Sequence, residues 1–164
     1  CIGSIFTIFG KMIKMLRKKK HVYCHHASEY EIQFFDVDSM NIMWHGHYVK
    51  YLEMARCAFL DEIHYTYDVM KEKGYGWPIV QLNLKYVKPA LFRQKIRVEL
   101  SLVEYETCIR IDYIIRDIAT NEKLTAGSTT QVAVEIKSGE MQLQTPPCWR
   151  SAVENHPTFQ RETA

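Results

Sequence analysis

Glycine and proline are scarce in this chain, with seven and five copies. Together with a 47% hydrophobic and 24% charged composition, that excludes a disordered chain and fits one globular domain with a sizeable core. The five cysteines (1, 24, 57, 108 and 148) are odd in number, and no pair has a C-x-x-C spacing. That argues against a disulfide framework and for reduced thiols in a cytoplasmic protein. The apolar run at the start, Cys1–Gly10, is too short to span a bilayer, which takes about 20 residues. It also precedes its basic cluster, whereas a signal peptide has charge first. His21–His26 contains metal-ligand residue types without a standard ligand spacing, so no metal and no cofactor is expected.

Acidic residues are missing from the first twenty positions, where Lys11, Lys14, Arg17, Lys18, Lys19 and Lys20 stand. With those six set aside, 15 basic residues face 19 acidic ones, a net of −4 behind a formal +2. A mildly acidic body lacks the basic face that releases counterions, so no nucleic-acid partner is expected. The tail has three readings. Ile5, Phe6, Phe9, Met12, Ile13 and Leu16 recur at helical spacing, which suits a helix on a membrane surface. A truncated membrane span with its lysines on the cytoplasmic side is the second. Upstream sequence with no role is the preferred third, so membrane contact is not expected.

What is present divides the chain into a basic extension or linker (1–27), one domain (28–145) and a tail (146–164). Tyr30, Ile32 and Phe34 alternate with Glu31 and Gln33, which predicts a half-buried strand. His47–His64 predicts a long helix, apolar on most of its circumference, that other structure must wrap. Thr66 is placed to cap a short helix through Lys73, with Gly74 at its end. Alternation then predicts strands around 80–86, 96–102, 109–115 and 132–136, with hairpin turns at Asp117–Glu122 and Ser138–Gly139. No helix-length segment separates them. One antiparallel sheet must curl around one helix, an α+β domain.

Between the first strand and the long helix lies Phe35-Asp36-Val37-Asp38-Ser39-Met40-Asn41-Ile42-Met43-Trp44-His45-Gly46-His47-Tyr48. So many polar groups beside a buried helix either face water or hold a site, because burying unpaired carboxylates costs several kcal/mol, roughly. Taken singly, Asp36, Asp38 and Asn41 are explained as turn and cap residues.

Taken together, this run and Lys50-Tyr51-Leu52-Glu53-Met54-Ala55-Arg56 resemble the signature of hot-dog-fold acyl-CoA thioesterases of the 4-hydroxybenzoyl-CoA thioesterase-like group. Lys85-Tyr86-Val87-Lys88-Pro89-Ala90 and Gly74-Tyr75-Gly76-Trp77-Pro78 resemble its later landmarks, over about Ser28 to Gln144. Asn41 departs from the family's usual Gly, although Asn is the next most tolerant residue of positive φ. The resemblance implies a hot-dog fold and a thioester hydrolase working on acyl-CoA, or on acyl groups carried by an acyl carrier protein.

The resemblance also implies that Asp38 is the catalytic carboxylate, as nucleophile or general base. His45 joins it as a second catalytic candidate. The backbone N–H groups of His45 and Gly46 are the oxyanion donors at the helix N-terminus. Asn41, Trp44 and Tyr48 are candidate substrate contacts, with core or interface roles open for the last two. Asp36 and Glu53 are supporting, Glu53 with an ordinary ion pair to Arg56 as the alternative. A basic patch of Lys85, Lys88, Arg93, Lys95 and Arg97 would favour an acidic carrier protein. The family works as homodimers, often paired into tetramers, with sheets joined edge to edge. A non-catalytic acyl-CoA-binding domain on this fold is the rival from another class.

Overall fold

The computed structural model describes residues 20–163. The readings of residues 1–19 as a membrane helix or upstream sequence lie outside the described residues. Five strands form one antiparallel sheet: β1 (Cys24–Glu31), β3 (Ile79–Tyr86), β4 (Lys95–Glu104), β5 (Ile109–Asp117) and β6 (Lys123–Gln131). Their spatial order is β1-β4-β5-β6-β3. A small second sheet pairs β2 (Tyr75–Gly76) with β7 (Val134–Glu135). Helix α1 (His47–Glu62) crosses the sheet, followed by α2 (Tyr67–Glu72) and, near the end, α3 (Pro147–Glu154). This is the expected α+β hot-dog architecture.

The core forms where two periodicities meet. Ile96, Val98, Leu100 and Leu102 on β4 and Ile109, Ile111, Tyr113 and Ile115 on β5 are buried, every second residue as a pleated strand requires. Tyr48, Tyr51, Leu52, Ala55, Phe59 and Leu60 of α1 are buried with them. Full burial of each large side chain is worth about 1.5–3 kcal/mol. The far side of α1 is less covered than its composition predicts. Val49, Cys57 and Ala58 are half-buried and Met54 is exposed.

Four sequence expectations are corrected. The first strand ends at Glu31 rather than Phe34, and Phe34–Asp36 form a turn of 3₁₀ helix. Ile32 is fully buried, so the alternation was real, but Phe34 and Phe35 project outward. The strand starts at Cys24, inside the segment read as linker, and His26 packs against Phe59. The segment Pro146 onward, read as tail, carries α3, whose Trp149 and Val153 are fully buried. Pro147 there starts a helix rather than breaking one, as it lacks only an N–H that would be unpaired anyway.

Strand β6 was not predicted. Its Thr, Ser, Ala and Gly residues give no hydrophobic alternation, yet it pairs with both β3 and β5. A side chain is excluded at Gly127, where a Cβ would stand 2.9 Å from Leu84 Cδ2 and 3.0 Å from the Asn83 carbonyl oxygen of the paired β3, and 3.3 Å from Leu52 Cδ1 of α1. The strand expected at 132–136 shrinks to the two-residue β7.

The sheet's two edges differ. Along β1 the C-terminal segment covers the edge: Gln160 N–H donates to the Tyr23 carbonyl (2.8 Å), and His25 N–H to Thr158 Oγ1 (3.0 Å). Beside this, β3 is open, with Ile79, Val80, Leu82 and Tyr86 exposed.

Candidate active site

The polar loop is held by one residue at its base. Asp36 is fully buried, 0% exposed. Its carboxylate accepts from Gln33 N–H (3.1 Å), from the Tyr51 hydroxyl (2.5 Å) and from Lys50. Its carbonyl accepts from Trp44 N–H (2.9 Å) and stands 3.0 Å from His47 Nδ1. Burial pushes this carboxyl up, but the bonds from Lys50, Tyr51 and Gln33 outweigh it and hold the group below the usual carboxylate range.

Two residues on, Asp38 is exposed. Its Oδ1 accepts from the backbone N–H of Met40 (2.8 Å) and Ile42 (3.3 Å), the self-bonding turn available to Asp. Its Oδ2 accepts nothing among the described residues. Asn41 closes the turn at φ 59°, the left-handed conformation expected where the family carries Gly. Its N–H reaches the Asp38 carbonyl (3.0 Å) and its carbonyl accepts from Phe92 N–H (3.2 Å).

The loop then runs into α1, whose N-terminus has no side-chain cap. His47 N–H is satisfied by the Trp44 carbonyl at 2.9 Å. The backbone N–H groups of His45 and Gly46 donate to nothing among the described residues. Unpaired donors at a helix start, where the dipole also favours negative charge, form a ready anion site. Gly46 lets the Trp44 indole lie against the backbone: a Cβ there would overlap the edge of the ring and push it aside. That indole is half-exposed and flanked by the imidazoles of His45 (4.8 Å) and His47 (5.2 Å).

A cleft of about 270 Å³ adjoins the turn, walled by Ile42, Met43, Tyr48, Tyr86, Val87 and Pro89, with His45 at its side. Tyr86 donates to the His45 carbonyl (2.7 Å), and Tyr48 meets Tyr86 edge-on at 5.0 Å. The Tyr48 hydroxyl is already engaged, accepting from Ala90 N–H at 3.1 Å. Tyr48 is thereby anchored to the Lys88–Ala90 segment beside the cleft.

Glu53 lies elsewhere on α1, in a cluster with Arg56 and the Tyr67 hydroxyl, which donates to it at 2.6 Å. The ordinary ion pair is what the structure contains. Lys50 and Tyr51, which hold Asp36, were missed in the sequence. Their spacing, one helical turn after His47, was the available signal. Of the basic-patch residues, Lys88 is paired with Glu122 at 2.5 Å and Arg97 with Glu29 at 3.5 Å.

Among the described residues, no group of three or more His, Cys, Asp or Glu side chains is arranged to hold a metal. No helix there is long and apolar enough to cross a membrane.

Known proteins resemble this chain in sequence and in fold. The YneP protein of Bacillus subtilis (strain 168), named provisionally as an acyl-CoA thioesterase, is 29% identical over 77 residues. That match covers 47% of this chain and 56% of YneP, so the matched segment spans little more than half of that relative. A 1,4-dihydroxy-2-naphthoyl-CoA thioesterase from Synechocystis superposes with a TM-score of 0.74 at 16% identity, covering 80% of this chain and 97% of its own. A 4-hydroxybenzoyl-CoA thioesterase, solved as a mutant complexed with 4-hydroxybenzoyl-CoA, superposes with a TM-score of 0.69 at 15% identity. It covers 79% of this chain and 98% of its own. The sequence profile described as the thioesterase-like superfamily matches residues 32–152, and this chain belongs to that superfamily.

Proposed function

We propose that this protein hydrolyses acyl-CoA thioesters to a carboxylic acid and free coenzyme A, with Asp38 as the reacting carboxylate. The observation that carries the reading is the pairing of two kinds of unused group in one turn. Asp38 keeps an oxygen free, and the His45 and Gly46 N–H groups lack acceptors at the head of a buried helix.

A thioester carbonyl attacked by a nucleophile becomes a tetrahedral oxyanion. Preorganised donors at the oxyanion position lower that barrier, each worth roughly 10²–10³ in rate. Asp38 takes a proton from the attacking water and the oxyanion collapses, expelling the coenzyme A thiolate. Alternatively its Oδ2 attacks directly, and water cleaves the resulting anhydride. Either route balances without a cofactor. The cleft walls are mostly apolar and aromatic, with His45 and Lys88 the polar members, which supports an apolar or aryl acyl group. The coenzyme A thioesters named for the fold neighbours are of that kind.

Coenzyme A rather than an acyl carrier protein is the preferred carrier, because the fold neighbours named by substrate act on coenzyme A thioesters. Lys88 and Arg97 are ion-paired, while Lys85, Arg93 and Lys95 pair with no acid among the described residues. Comparing one acyl group on the two carriers checks this. The open apolar β3 edge supports a homodimer joined through β3, or a dimer of such dimers. The four cysteines among the described residues are free, which fits a cytoplasmic location. Asp38→Asn is expected to lower thiol release from acyl-CoA by about 10²–10⁴-fold with the fold intact. Retained turnover removes Asp38 from the reaction.

A further inference from the structure

Lys50 has no part in the chemistry above, yet it sits under the loop that performs it. It lies in the first turn of α1 with Nζ on Asp36 Oδ1. Its ammonium is 4.9 Å from the ring centroids of both Phe35 and Tyr51. The carboxylate it pairs is fully buried, and burial of a charge is tolerated only when its partners are in place.

The same Asp36 residue carries the geometry of the donors. Its backbone carbonyl holds Trp44 N–H at 2.9 Å, and the proposed oxyanion donors, His45 and Gly46, follow directly in the chain. Its carboxylate holds Gln33 N–H, where the loop begins, and Tyr51, one turn into α1. One buried residue therefore ties the entry, exit and supporting helix of the turn together.

We propose that Lys50 is a positioning residue for this reaction. By pairing the buried Asp36 carboxylate it keeps the Trp44–Gly46 segment in the one arrangement that aims the His45 and Gly46 donors. The inference rests on the proposed thioester hydrolysis and adds a residue that touches no substrate.

The charged and titratable groups facing this carboxylate all come from α1: Lys50, Tyr51, and His47 with Nδ1 3.6 Å from Oδ1. From the loop side only the Gln33 backbone N–H reaches it. Lys50 and the Gln33 N–H can only donate, and Tyr51 donates as arranged. Protonation of Asp36 removes the charge that holds Lys50, so that pair is the one weakened. Because the folded carboxyl is held below its ordinary range, the ordered loop persists above that range and is lost as pH falls through the folded value. Removing Lys50 moves that loss to higher pH.

The test uses the full chain carrying Lys50→Met, Lys50→Arg or the pair Asp36→Asn/Lys50→Met. Thiol release from benzoyl-CoA is followed across pH, with a melting curve for each variant. For Lys50→Met, kcat is expected to fall about tenfold to a hundredfold with little change in KM, as a donor misplaced by an ångström costs. The acid limb of its kcat profile should move to higher pH. Lys50→Arg should restore both, and the double variant should lose the shift, having no carboxylate to protonate.

A second readout needs no turnover. Trp77 and Trp149 are buried while Trp44 is half-exposed, so acrylamide quenching reports Trp44. In Lys50→Met its pH midpoint should move up with the acid limb. A wild-type kcat profile and quenching midpoint in Lys50→Met overturn the proposal. So does a loss of kcat that leaves the acid limb in place, or a shift that persists in the double variant. Turnover retained in Asp38→Asn overturns the functional reading instead, and the quenching measurement then decides Lys50 independently.

Discussion

The two ends of helix α1 carry the same ingredients, carboxylates and histidines, in opposite states. At the C-terminal end, Glu62 has both oxygens engaged, by His26 Nδ1 (2.8 Å) and His156 Nε2 (3.1 Å). Each imidazole uses its second nitrogen as well, His26 on Ser28 Oγ at 2.6 Å and His156 on Thr158 Oγ1 at 2.8 Å. At the N-terminal end, Asp38 keeps one oxygen unused, and the ring of His45 bonds to nothing among the described residues. Asp38 and His45 are exposed, so the groups they leave unbonded within the chain are open to an incoming substrate. The closed end joins α1, β1 and the C-terminal segment into one body. The open end is thereby presented on a helix tied at its other end to β1 and the C-terminal segment.

Variants that disturb the support should therefore act on stability, and those at the open face on catalysis. The largest stability effect is expected from Asp36→Ala. It leaves the buried Tyr51 hydroxyl and the Gln33 N–H without their acceptor, at about 1–3 kcal/mol for each stranded donor, while the part-exposed Lys50 can turn to solvent. Urea denaturation measures it, and a change under 1 kcal/mol, roughly that of a surface ion pair, would remove Asp36 as the hub.

Gly46→Ala comes next. The added methyl must displace the Trp44 indole, and overpacking of that kind costs about 1–3 kcal/mol. Melting curves and acrylamide quenching should both respond, with kcat reduced because the displaced residue adjoins both donors. An unchanged quenching curve would mean that the indole is not seated on Gly46.

Glu62→Gln should leave thioester hydrolysis unchanged and lower stability by about 1 kcal/mol, since the carboxylate is half-exposed. Burial pushes Glu62 up, but the His156 and His26 bonds outweigh it and hold it below the ordinary carboxylate range. Its contribution is complete above that range and disappears as pH falls through the lowered value. The variant should accordingly lose part of the acid-induced destabilisation. An identical pH dependence of melting in the two proteins would show that the clasp carries no stability.

The smallest effect belongs to Asn41→Gly. At φ 59° glycine relieves the side-chain strain but enlarges the unfolded ensemble, so the net change should stay within about 1 kcal/mol. A large loss would show that the Asn41 side chain, not its backbone conformation, is what the turn requires.

Much of this was legible before the structure. The alternation in β4 and β5 and the circumference of α1 dictated a sheet over a helix, and the Asp-x-Asp turn could be read from its density of polar groups. Strand β6 was illegible because its Thr, Ala, Gly and Ser residues carry no hydrophobic period, and at Gly127 the paired β3 leaves no room for a side chain. Helix α3 was illegible because Trp149 and Val153 bury only a narrow stripe within eight residues. In the site, the sequence singled out both aspartates. It had no means of showing which was buried, because that depends on Lys50 and Tyr51 returning to Asp36 across the turn.

The contrast between the two ends of α1 reduces to one comparison. Thiol release from a single aryl-CoA is measured in parallel for wild type, Asp38→Asn and Glu62→Gln, at a pH where all three are folded. Asp38→Asn should lose about 10²–10⁴-fold in kcat while Glu62→Gln keeps the wild-type rate. Equal rates in the two variants would contradict the account.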